Sequence, residues 1–391
     1  MFVVRRSLPE DAVTLLKLAK MVHFINLPPD ESIIQQKILQ SRRGFMMVGA
    51  EQYGTNPRAL KRLTTRVSSS HRPAGYESEP GGFFMFTLED HDTGAVLGTS
   101  QVYGKMGGPG NPNYFYRLTV EELFSPSLQI GTKHTVARME ADESGPAEIG
   151  GLVLQPSYRG HKDRLGRFLG LVRFHFMGLH RKRFADRVVA EMMAVITPSG
   201  DNVFWDAVGR KFVGVAYTEA DQFCQYNRQF IPDLLPAGPI YMSLLPLKVQ
   251  NVVSEVGPET ESARRMLERL GFTYQNCIDP FDAGPYLEAM VDDLEVVRET
   301  RMTRYAGTAA RSTLKRRGIV SHLDADGEFY SVDNHFSVDP DGAVRVSKDV
   351  AEVLHLDDDD PIGVTPLDGK PIGGTTTTKK KTAKRTRKAS E

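Results

Sequence analysis

The segment from Glu148 to Leu179 constrains the fold of this chain more than any other stretch. It begins with a short apolar run of strand length, Glu148 to Leu154, with two glycines at its centre. Glycines inside a strand predict a β-bulge, or a place where a ligand approaches the backbone. A proline-containing loop follows, and then apolar residues recur at helical spacing, which predicts a helix. These apolar residues are Leu165, Phe168, Leu169, Val172, Phe176 and Leu179.

The loop between the predicted strand and helix is basic and rich in glycine. It contains Arg159, Gly160, Lys162, Arg164 and Gly166. The first N–H groups of a helix are unpaired and its dipole is positive there, so a strand–loop–helix turn of this kind can bind an anion. The alternative is a plain crossover with solvated basic side chains, and the loop alone does not decide between the two.

This arrangement resembles the way in which the GNAT superfamily of acyl-CoA acyltransferases holds the pyrophosphate of coenzyme A. The loop of that superfamily usually reads R-x-x-G-x-G, whereas this loop reads R-G-x-x-x-x-x-G. The start of the chain, with Arg5, Ser7 and Asp11, is also similar to the start of a GNAT domain. The resemblance implies an α+β fold with a mixed, mostly antiparallel central sheet flanked by helices.

Length and composition set the limits of the interpretation. The 391 residues suffice for two or three domains of about 100–200 residues each. A composition with 40% hydrophobic and 25% charged residues is typical of a soluble protein, and no run approaches the about 20 apolar residues of a membrane span. The N-terminus does not follow the signal-peptide pattern, so we expect a cytoplasmic protein. With Cys224 and Cys277 as the two cysteines, we expect neither a disulfide framework nor a metal site.

We predict three parts in the chain. Residues 1–300 form the GNAT-like domain, which carries a polar insertion or mobile loop at about 46–80. Residues 301–370 contain short alternating runs separated by D-A-D-G and D-P-D-G turns, which predicts a small β module. Residues 371–391 are rich in Lys, Arg and Thr, which predicts a disordered basic tail.

The basic tail is the one part of the chain that could attract nucleic acid. It holds seven Lys or Arg and one acid, so the rest of this neutral chain is mildly acidic. A mildly acidic body is not suited to binding nucleic acid. The tail could bind it in a salt-dependent way, or it could serve as a solubility appendage or a target for modification.

Six segments, which follow one another over roughly residues 1 to 300, resemble the arginine N-succinyltransferase family. They are Y-F-Y-R from Tyr114, E-I-G-G-L-V-L-x-P from Glu148, V-V-A-E-M from Val188, F-W-D-A-V-G-R-K-F from Phe204, L-L-P-A-G-P-I-Y from Leu234 and D-P-F-D-A-G-P-Y-L-E from Asp279. The family transfers succinyl from succinyl-CoA to the α-amine of arginine in arginine catabolism. The resemblance implies this activity, succinyl-CoA as co-substrate, no permanently bound cofactor, and an oligomer.

The same resemblance places the acyl-CoA donor on the glycine-containing strand. In GNAT enzymes the pantetheine lies like an extra strand between two separated strands, and a backbone N–H of the bulged strand holds the thioester oxygen. The corresponding residues here are Gly151, Leu152 and Val153, with the acyl-CoA contact on Leu152. The alternative for Leu152 is an ordinary core residue. With the five loop residues, these three form the predicted acyl-CoA site.

One departure from the family concerns its general base, a histidine before a proline. Here the corresponding stretch is S-E-V-G-P, which puts Gly257 at that position. Glycine cannot accept a proton, so either a neighbour such as Glu255 takes the role, or the amine acceptor or the acyl group differs. A catalytically silent protein that binds acyl-CoA as a regulator is the remaining alternative.

Glu191 is the acid that we expect next to the acceptor. It lies within an apolar run, from Arg187 to Ile196, that predicts a buried strand, and a buried carboxylate is unfavourable unless it is paired or functional. It could hold a guanidinium or act as a base through water. The alternative is an ion pair with Arg187. Asp282, for which a turn role is the alternative, and Arg117 are the other predicted acceptor-side residues.

Overall fold

One continuous sheet runs through the computed structural model, which describes residues 1–21, 27–54, 81–197, 199–224 and 227–370. Its strands are β1 (Phe2–Arg6), β2 (Phe83–Asp90), β3 (Ala95–Tyr103), β4 (Asn113–Ser125), β5 (Ile130–Asp142), β6 (Ala147–Leu154), β7 (Arg187–Glu191), β8 (Ile240–Tyr241), β9 (Thr273–Ile278), β10 (Pro285–Met290), β11 (Arg301–Thr308), β12 (Arg316–Leu323), β13 (Phe329–Val338), β14 (Val344–Val346) and β15 (Pro361–Pro366). The order is β12-β15-β11-β14-β13-β1-β2-β3-β6-β7-β10-β9-β4-β5-β8. The pairs β6–β7 and β11–β14 are parallel, and the remaining neighbours are antiparallel.

Helices cover this sheet and fill the connections between its strands. They are α1 (Ala12–Lys20), α2 (Glu31–Gln52), α3 (Leu165–Leu179), α4 (Val203–Ala207), α5 (Gly209–Val213), α6 (Tyr217–Cys224), α7 (Phe230–Leu234), α8 (Leu247–Gln250), α9 (Glu261–Leu270), α10 (Glu295–Arg298) and α11 (Lys348–Val353). The fold is therefore a sheet-rich α+β architecture. In the described part of the chain, each helix is too short or too polar to cross a membrane.

The core forms where α2 and α3 pack on the centre of the sheet. The Phe45 ring of α2 lies 5.2 Å from Phe84, 5.2 Å from Phe176 of α3, and 5.7 Å from Phe329 of β13. All four side chains are fully buried, and each contributes about 1.5–3 kcal/mol to folding by leaving water. The helix that the spacing of apolar residues predicts after residue 164 is thus confirmed, and its apolar side faces the sheet.

Two element boundaries that were predicted from the sequence are wrong. The polar insertion was expected to begin at about residue 46, but helix α2 extends to Gln52 because Phe45 and Val48 continue its buried face. The strand expected from Arg187 to Ile196 ends at Glu191, since the following backbone turns to bond with Asp282. Residues 55–80 of the expected insertion lie outside the described residues.

The segment after residue 300 forms strands β11 to β15 and helix α11 around its own apolar cluster. The D-A-D-G and D-P-D-G sequences form the turns that were expected, after β12 and after β13. Strand β1 pairs with β13 on one side and with β2 on the other, so one sheet joins the two parts. The division into domains at residue 301 stays a prediction. The tail, residues 371–391, lies outside the described residues.

Candidate active site

Strand β6 carries the β-bulge that its glycines predict. Val153 pairs with Thr99 of β3, and Gly150 pairs with Gln101. The two β6 residues are three positions apart and their partners are two positions apart, so β6 has one extra residue at this point. Gly151 has a φ of 55°, a conformation that favours glycine. A Cβ atom at this position would lie 2.6 Å from Nε2 of Gln101. Glycine is therefore required here by the backbone conformation and by the close neighbour.

The parallel strands β6 and β7 separate after a short contact. Two residue pairs are in register, Ala147 with Val188 and Glu148 with Val189. Beyond them an open cavity lies between the strands, and its empty space, which includes open solvent, is about 810 Å³. Its walls include residues 149–152 of β6 and residues 190–193, which are the end of β7 and the two residues after it. One face of α9 and Arg173 of α3 also border the cavity. Backbone N–H and C=O groups of the bulged strand thus border an open space.

The basic loop lies at the end of β6, where α3 begins. Arg164 adopts a left-handed conformation with φ 52° immediately before the helix, and Arg159 forms an ion pair with Glu259. Arg159, Gly160, Lys162 and Arg164 are exposed. Among the described residues, no acceptor contacts the N–H groups of Leu165 and Gly166. Within the described ranges, the first N–H groups of α3 are therefore unpaired, next in sequence to exposed basic side chains.

Glu191 lies where two cavities meet. It is the last residue of β7, it is half-buried, and it borders both the large cavity and a second, smaller one. Asp279 and Phe281, in the loop between β9 and β10, border both cavities as well. The hydroxyl of Tyr286, the register partner of Glu191 on β10, donates to Oδ2 of Asp279 at 3.3 Å. Glu191 is thus placed between the two spaces.

Carboxylates are concentrated around this junction. Burial raises the pKa of Glu191 well above its ordinary value, and the negative charges of Glu148 and Asp279 raise it further. Burial also raises the pKa of Asp221, on α6, to about 7, and Asp279 adds to this shift. The positive charge of Arg228, on the wall of the smaller cavity, acts in the opposite direction on both acids. Several acids in one poorly hydrated place suit a cationic ligand.

Asp282 borders the large cavity and also holds the turn that shapes it. Its Oδ2 accepts from the N–H of Ala194 at 2.9 Å, and its Oδ1 accepts from the N–H of Gly284 at 2.7 Å. Both expected features, a turn residue and a position beside the acceptor, are therefore compatible with its location.

Other predicted site residues are not brought to the cavities. Arg117, on β4, pairs with Glu140, and Glu255 is exposed and borders neither cavity. The side chain of Val153 packs with the cluster that includes α1, so its backbone alone could take part. The alternative of a Glu191–Arg187 ion pair is not found, because the partners of Arg187 are Asp142 and Glu288. 

Gly257, at the position of the family histidine, packs closely against the segment after β7. Its N–H donates to the carbonyl of Met193 at 3.1 Å, and a Cβ atom on Gly257 would lie 2.9 Å from the carbonyl oxygen of Ala194. The neighbouring Thr260 donates to the same Met193 carbonyl at 3.0 Å. The backbone at this edge of the cavity is thus arranged for glycine.

Sequence reasoning missed two charged residues that border the cavities, Arg173 and Asp279, and one buried acid, Glu148, whose charge acts on Glu191. Glu148 on β6 and Arg173 on α3 are buried, and Asp279 borders both cavities. Glu148 and Arg173 each carry a charge within an apolar run, the same signal that selected Glu191. Within the described ranges, no group of three or more His, Cys, Asp and Glu side chains is arranged to hold a metal ion.

Comparisons with known proteins agree with the resemblance stated above. The family described as "Arginine N-succinyltransferase beta subunit" matches residues 48–296. An arginine N-succinyltransferase of Citrobacter koseri is 32% identical over 305 residues, which are 77% of this chain and 80% of that protein. One from Enterobacter sp. strain 638 is 36% identical over 231 residues, 59% of this chain and 66% of that protein.

A solved structure has the same fold over almost the whole chain. It is arginine/ornithine succinyltransferase subunit AI from Pseudomonas aeruginosa, which matches with a TM-score of 0.73 and 24% identity. The match covers 96% of this chain and 99% of the other. The length and identity of the sequence matches lead to one conclusion: this chain belongs to the arginine N-succinyltransferase family, a family of acyltransferases.

Proposed function

We propose that this protein transfers the succinyl group of succinyl-CoA to the α-amine of arginine. The observation that carries the proposal is the junction of two cavities at Glu191, bordered by a group of acids and by strand β6, whose chain continues into the basic loop and the start of α3. An anionic donor and a cationic acceptor could then approach one reaction centre from opposite sides. Family membership supports the same pair of substrates.

The donor half of the proposal follows the GNAT pattern. The gap between β6 and β7 would take the pantetheine as an added strand, beside the backbone of Gly151, Leu152 and Val153. The pyrophosphate would bind at the start of α3, where Gly166 and the exposed Lys162 and Arg164 combine free N–H groups with positive charge. Arg159 and Gly160 complete this loop.

The acceptor half rests on negative charge. A guanidinium is planar, always protonated and suited to bidentate bonds with carboxylates. Glu191, Asp279 and Asp282 border the cavities, and Glu148 and Asp221 lie close enough to shift the pKa values of neighbouring acids. The terminal ammonium of ornithine would meet the same charges, which makes ornithine the second candidate acceptor.

The chemistry is aminolysis of a thioester. The α-ammonium of arginine first loses a proton, and its lone pair then attacks the thioester carbonyl carbon. The resulting oxyanion would be held by backbone N–H groups at the bulge, and its collapse breaks the C–S bond and expels the CoA thiolate. The attacking nitrogen gives up its second proton and the thiolate takes up one, which leaves the neutral amide and the free thiol. Placement of both substrates in adjoining cavities can supply about 7–11 kcal/mol of the barrier reduction.

We assign the base to Glu191 in place of the family histidine. A general base works best when its pKa is near the working pH, and burial and neighbouring acids raise the pKa of Glu191 in that direction. Glu255, the other predicted candidate, is exposed and borders neither cavity. Glu191 is therefore the preferred assignment of the two.

The test is release of free thiol from succinyl-CoA or acetyl-CoA, with arginine, ornithine or no amine. Arginine-dependent release from succinyl-CoA is the expected result. Release that depends on ornithine and not on arginine would show that ornithine is the acceptor. Binding of succinyl-CoA without release on either amine would overturn the proposed reaction and favour a silent acyl-CoA-binding protein.

Several expectations stay predictions. These are an oligomeric assembly, a cytoplasmic location, and a tail, residues 371–391, that either binds nucleic acid or serves as a solubility appendage or a target for modification. The absence of a permanently bound cofactor is also a prediction, as is an acceptor contact from Arg117, which pairs with Glu140. Thiol release that survives deletion of residues 371–391 would show that the tail takes no part in the chemistry.

A further inference from the structure

Arg173 is a buried cation on the wall of the large cavity. It lies in the middle of α3, in the apolar sequence L-G-L-V-R-F-H-F, and its exposed fraction is 2%. Among the described residues, Arg173 forms no ion pair with a carboxylate. Burial lowers the pKa of Arg173 to about 9, so the guanidinium is still positive at neutral pH. A buried charge without a counter-ion is unfavourable, which indicates a role beyond packing.

The guanidinium of Arg173 is held in place by two backbone carbonyls. Its Nε donates to the carbonyl of Gly170 at 3.1 Å, and its Nη1 donates to the carbonyl of Gly150 at 3.4 Å. Within the described ranges its Nη2 has no hydrogen-bond partner. Nη2 and Met266 lie near one point, because a Cβ atom on Gly170 would come within 3.7 Å of Nη2 and 2.7 Å of Cε of Met266. Both residues border the cavity, so the guanidinium is held by backbone carbonyls at the cavity wall.

The position of Arg173 along the cavity corresponds to the acyl end of a bound donor. It is eight residues from Leu165, or about 12 Å along the helix axis from the phosphate end of the site. Its contact with Gly150 brings it next to the bulge at Gly151, where the thioester carbonyl would be held. In a succinyl group three C–C bonds of about 1.5 Å each separate the thioester carbon from the carboxylate carbon. A carboxylate at Arg173 and a thioester at the bulge are therefore compatible in scale.

We propose that Arg173 binds the terminal carboxylate of the succinyl group and thereby selects a dicarboxylic acyl donor over a neutral one. This inference rests on the proposed function, since it identifies how the same site recognises its donor. Glu191, Asp279 and Asp282 border the same cavity from other elements than α3, and they would repel that carboxylate. Arg173 therefore separates the charges: the acyl carboxylate lies on its side, and the cationic acceptor lies on the side of the acids.

The alternative role for Arg173 is structural, because its bond to Gly150 could do no more than fix the bulge. The two roles differ in their dependence on the donor. A residue that fixes the bulge serves every acyl-CoA equally, whereas a carboxylate-binding residue acts on succinyl-CoA alone. Butyryl-CoA has the same number of acyl carbons and a methyl group in place of the carboxylate, so it is the matched neutral donor.

The experiment compares succinyl-CoA and butyryl-CoA with wild-type protein and with Arg173→Gln, Arg173→Lys and Arg265→Gln. Arg265, on the outer side of α9, is an exposed arginine that pairs with Glu261, which makes it the matched control. We expect Arg173→Gln to lower kcat/KM for succinyl-CoA about 100-fold and to leave butyryl-CoA within about threefold of wild type. Arg173→Lys, which keeps the charge, should retain part of the preference, and Arg265→Gln should retain all of it.

Direct binding without arginine separates this proposal from the proposed function. Calorimetry should show that wild-type protein binds succinyl-CoA more tightly than butyryl-CoA, and that Arg173→Gln removes the difference. Equal affinities in the wild-type protein would overturn the proposal without any variant. An equal loss for both donors in a folded Arg173→Gln protein would overturn it too and leave the bulge-fixing role. Failure of arginine turnover alone would contradict the proposed acceptor but not the donor preference.

Discussion

Glu148 and Glu191 lie on the adjacent parallel strands β6 and β7, and the negative charge of Glu148 raises the pKa of Glu191. The two acids flank the point at which the strands separate, since Glu148 belongs to the last pair in register and Glu191 ends β7. Like charges that interact in this way are unfavourable for folding unless a ligand or a proton offsets them. This relationship supports the proposed role of Glu191, which borders the cavity.

Replacement of Glu191 by Gln should lower kcat at least tenfold, which is about 1.4 kcal/mol of barrier. The amide keeps the shape of the side chain but cannot take up the proton of the α-ammonium. Thiol release with saturating arginine and succinyl-CoA gives kcat, and circular dichroism checks folding. Glu255→Gln, measured in parallel, decides between the two predicted carboxylates. Wild-type kinetics for Glu191→Gln would remove Glu191 from the mechanism.

The same variant should be more stable than the wild-type protein at neutral pH. Because burial raises the pKa of Glu191 above its ordinary value of 4.5, the folded chain holds this proton more tightly than the unfolded chain. Wild-type stability therefore falls as the pH rises from about 4.5 to the raised pKa, and the loss is constant above it. The difference in Tm between Glu191→Gln and wild type should be near zero at pH 4 and should grow toward pH 8. A difference that shrinks with rising pH would show that the carboxylate is stabilised by the fold.

Much of the donor side could be predicted from the sequence because it is built from one continuous segment. The strand, the bulge at Gly151, the loop and helix α3 follow each other between residues 147 and 179, so periodicity and glycine positions suffice. The end of β7 could not be predicted in this way. The apolar run continues to Ile196, but contacts of the following backbone with Asp282, far away in sequence, end the strand at Glu191.

The acceptor side was predicted only in part, because it is assembled from distant segments. Glu148 lies on β6, Glu191 ends β7, Asp221 lies on α6, and Asp279 lies in the loop between β9 and β10. Glu191 was selected because it interrupts an apolar run. Asp221 stands in a polar stretch and Asp279 stands before a proline, where an acid is ordinary, and the sequence alone does not show that both come to lie half-buried.

An acid at the start of α3 should weaken donor binding without loss of stability. A Cβ atom on Gly166 would meet only Cδ2 of Leu154 at 3.6 Å, so Gly166→Asp fits. Replacing a helical glycine and adding an acid at a helix N-terminus each favour folding by about 0.3–1 kcal/mol. The new charge should repel the pyrophosphate and raise KM for succinyl-CoA about tenfold. Gly166→Ala is the control without charge, and an unchanged KM in Gly166→Asp would contradict the phosphate site.

Asp282→Asn should destabilise the protein by about 1–3 kcal/mol. Both carboxylate oxygens of Asp282 accept from backbone N–H groups, those of Ala194 and Gly284. An asparagine has one acceptor oxygen, so its NH₂ group must face one of these donors. Urea unfolding gives the free energy, with Asp206→Asn, an exposed aspartate on α4, as the control. No loss of stability would show that the turn does not depend on the second acceptor.

Gly257→His, which places a histidine at the position of the family's general base, should not increase the activity of this enzyme. The Cβ atom would lie 2.9 Å from the carbonyl oxygen of Ala194, which is backbone and cannot move aside like a flexible side chain. The segment after β7 would have to shift, at a loss of about 1–3 kcal/mol in stability, and with it the cavity wall beside Glu191. We expect lower Tm and lower kcat, and Gly257→Ala should show most of the loss in Tm because the clash begins at Cβ. Higher turnover with unchanged Tm in Gly257→His would instead mean that the site still accepts a histidine base, and that Glu191 does not carry the proton.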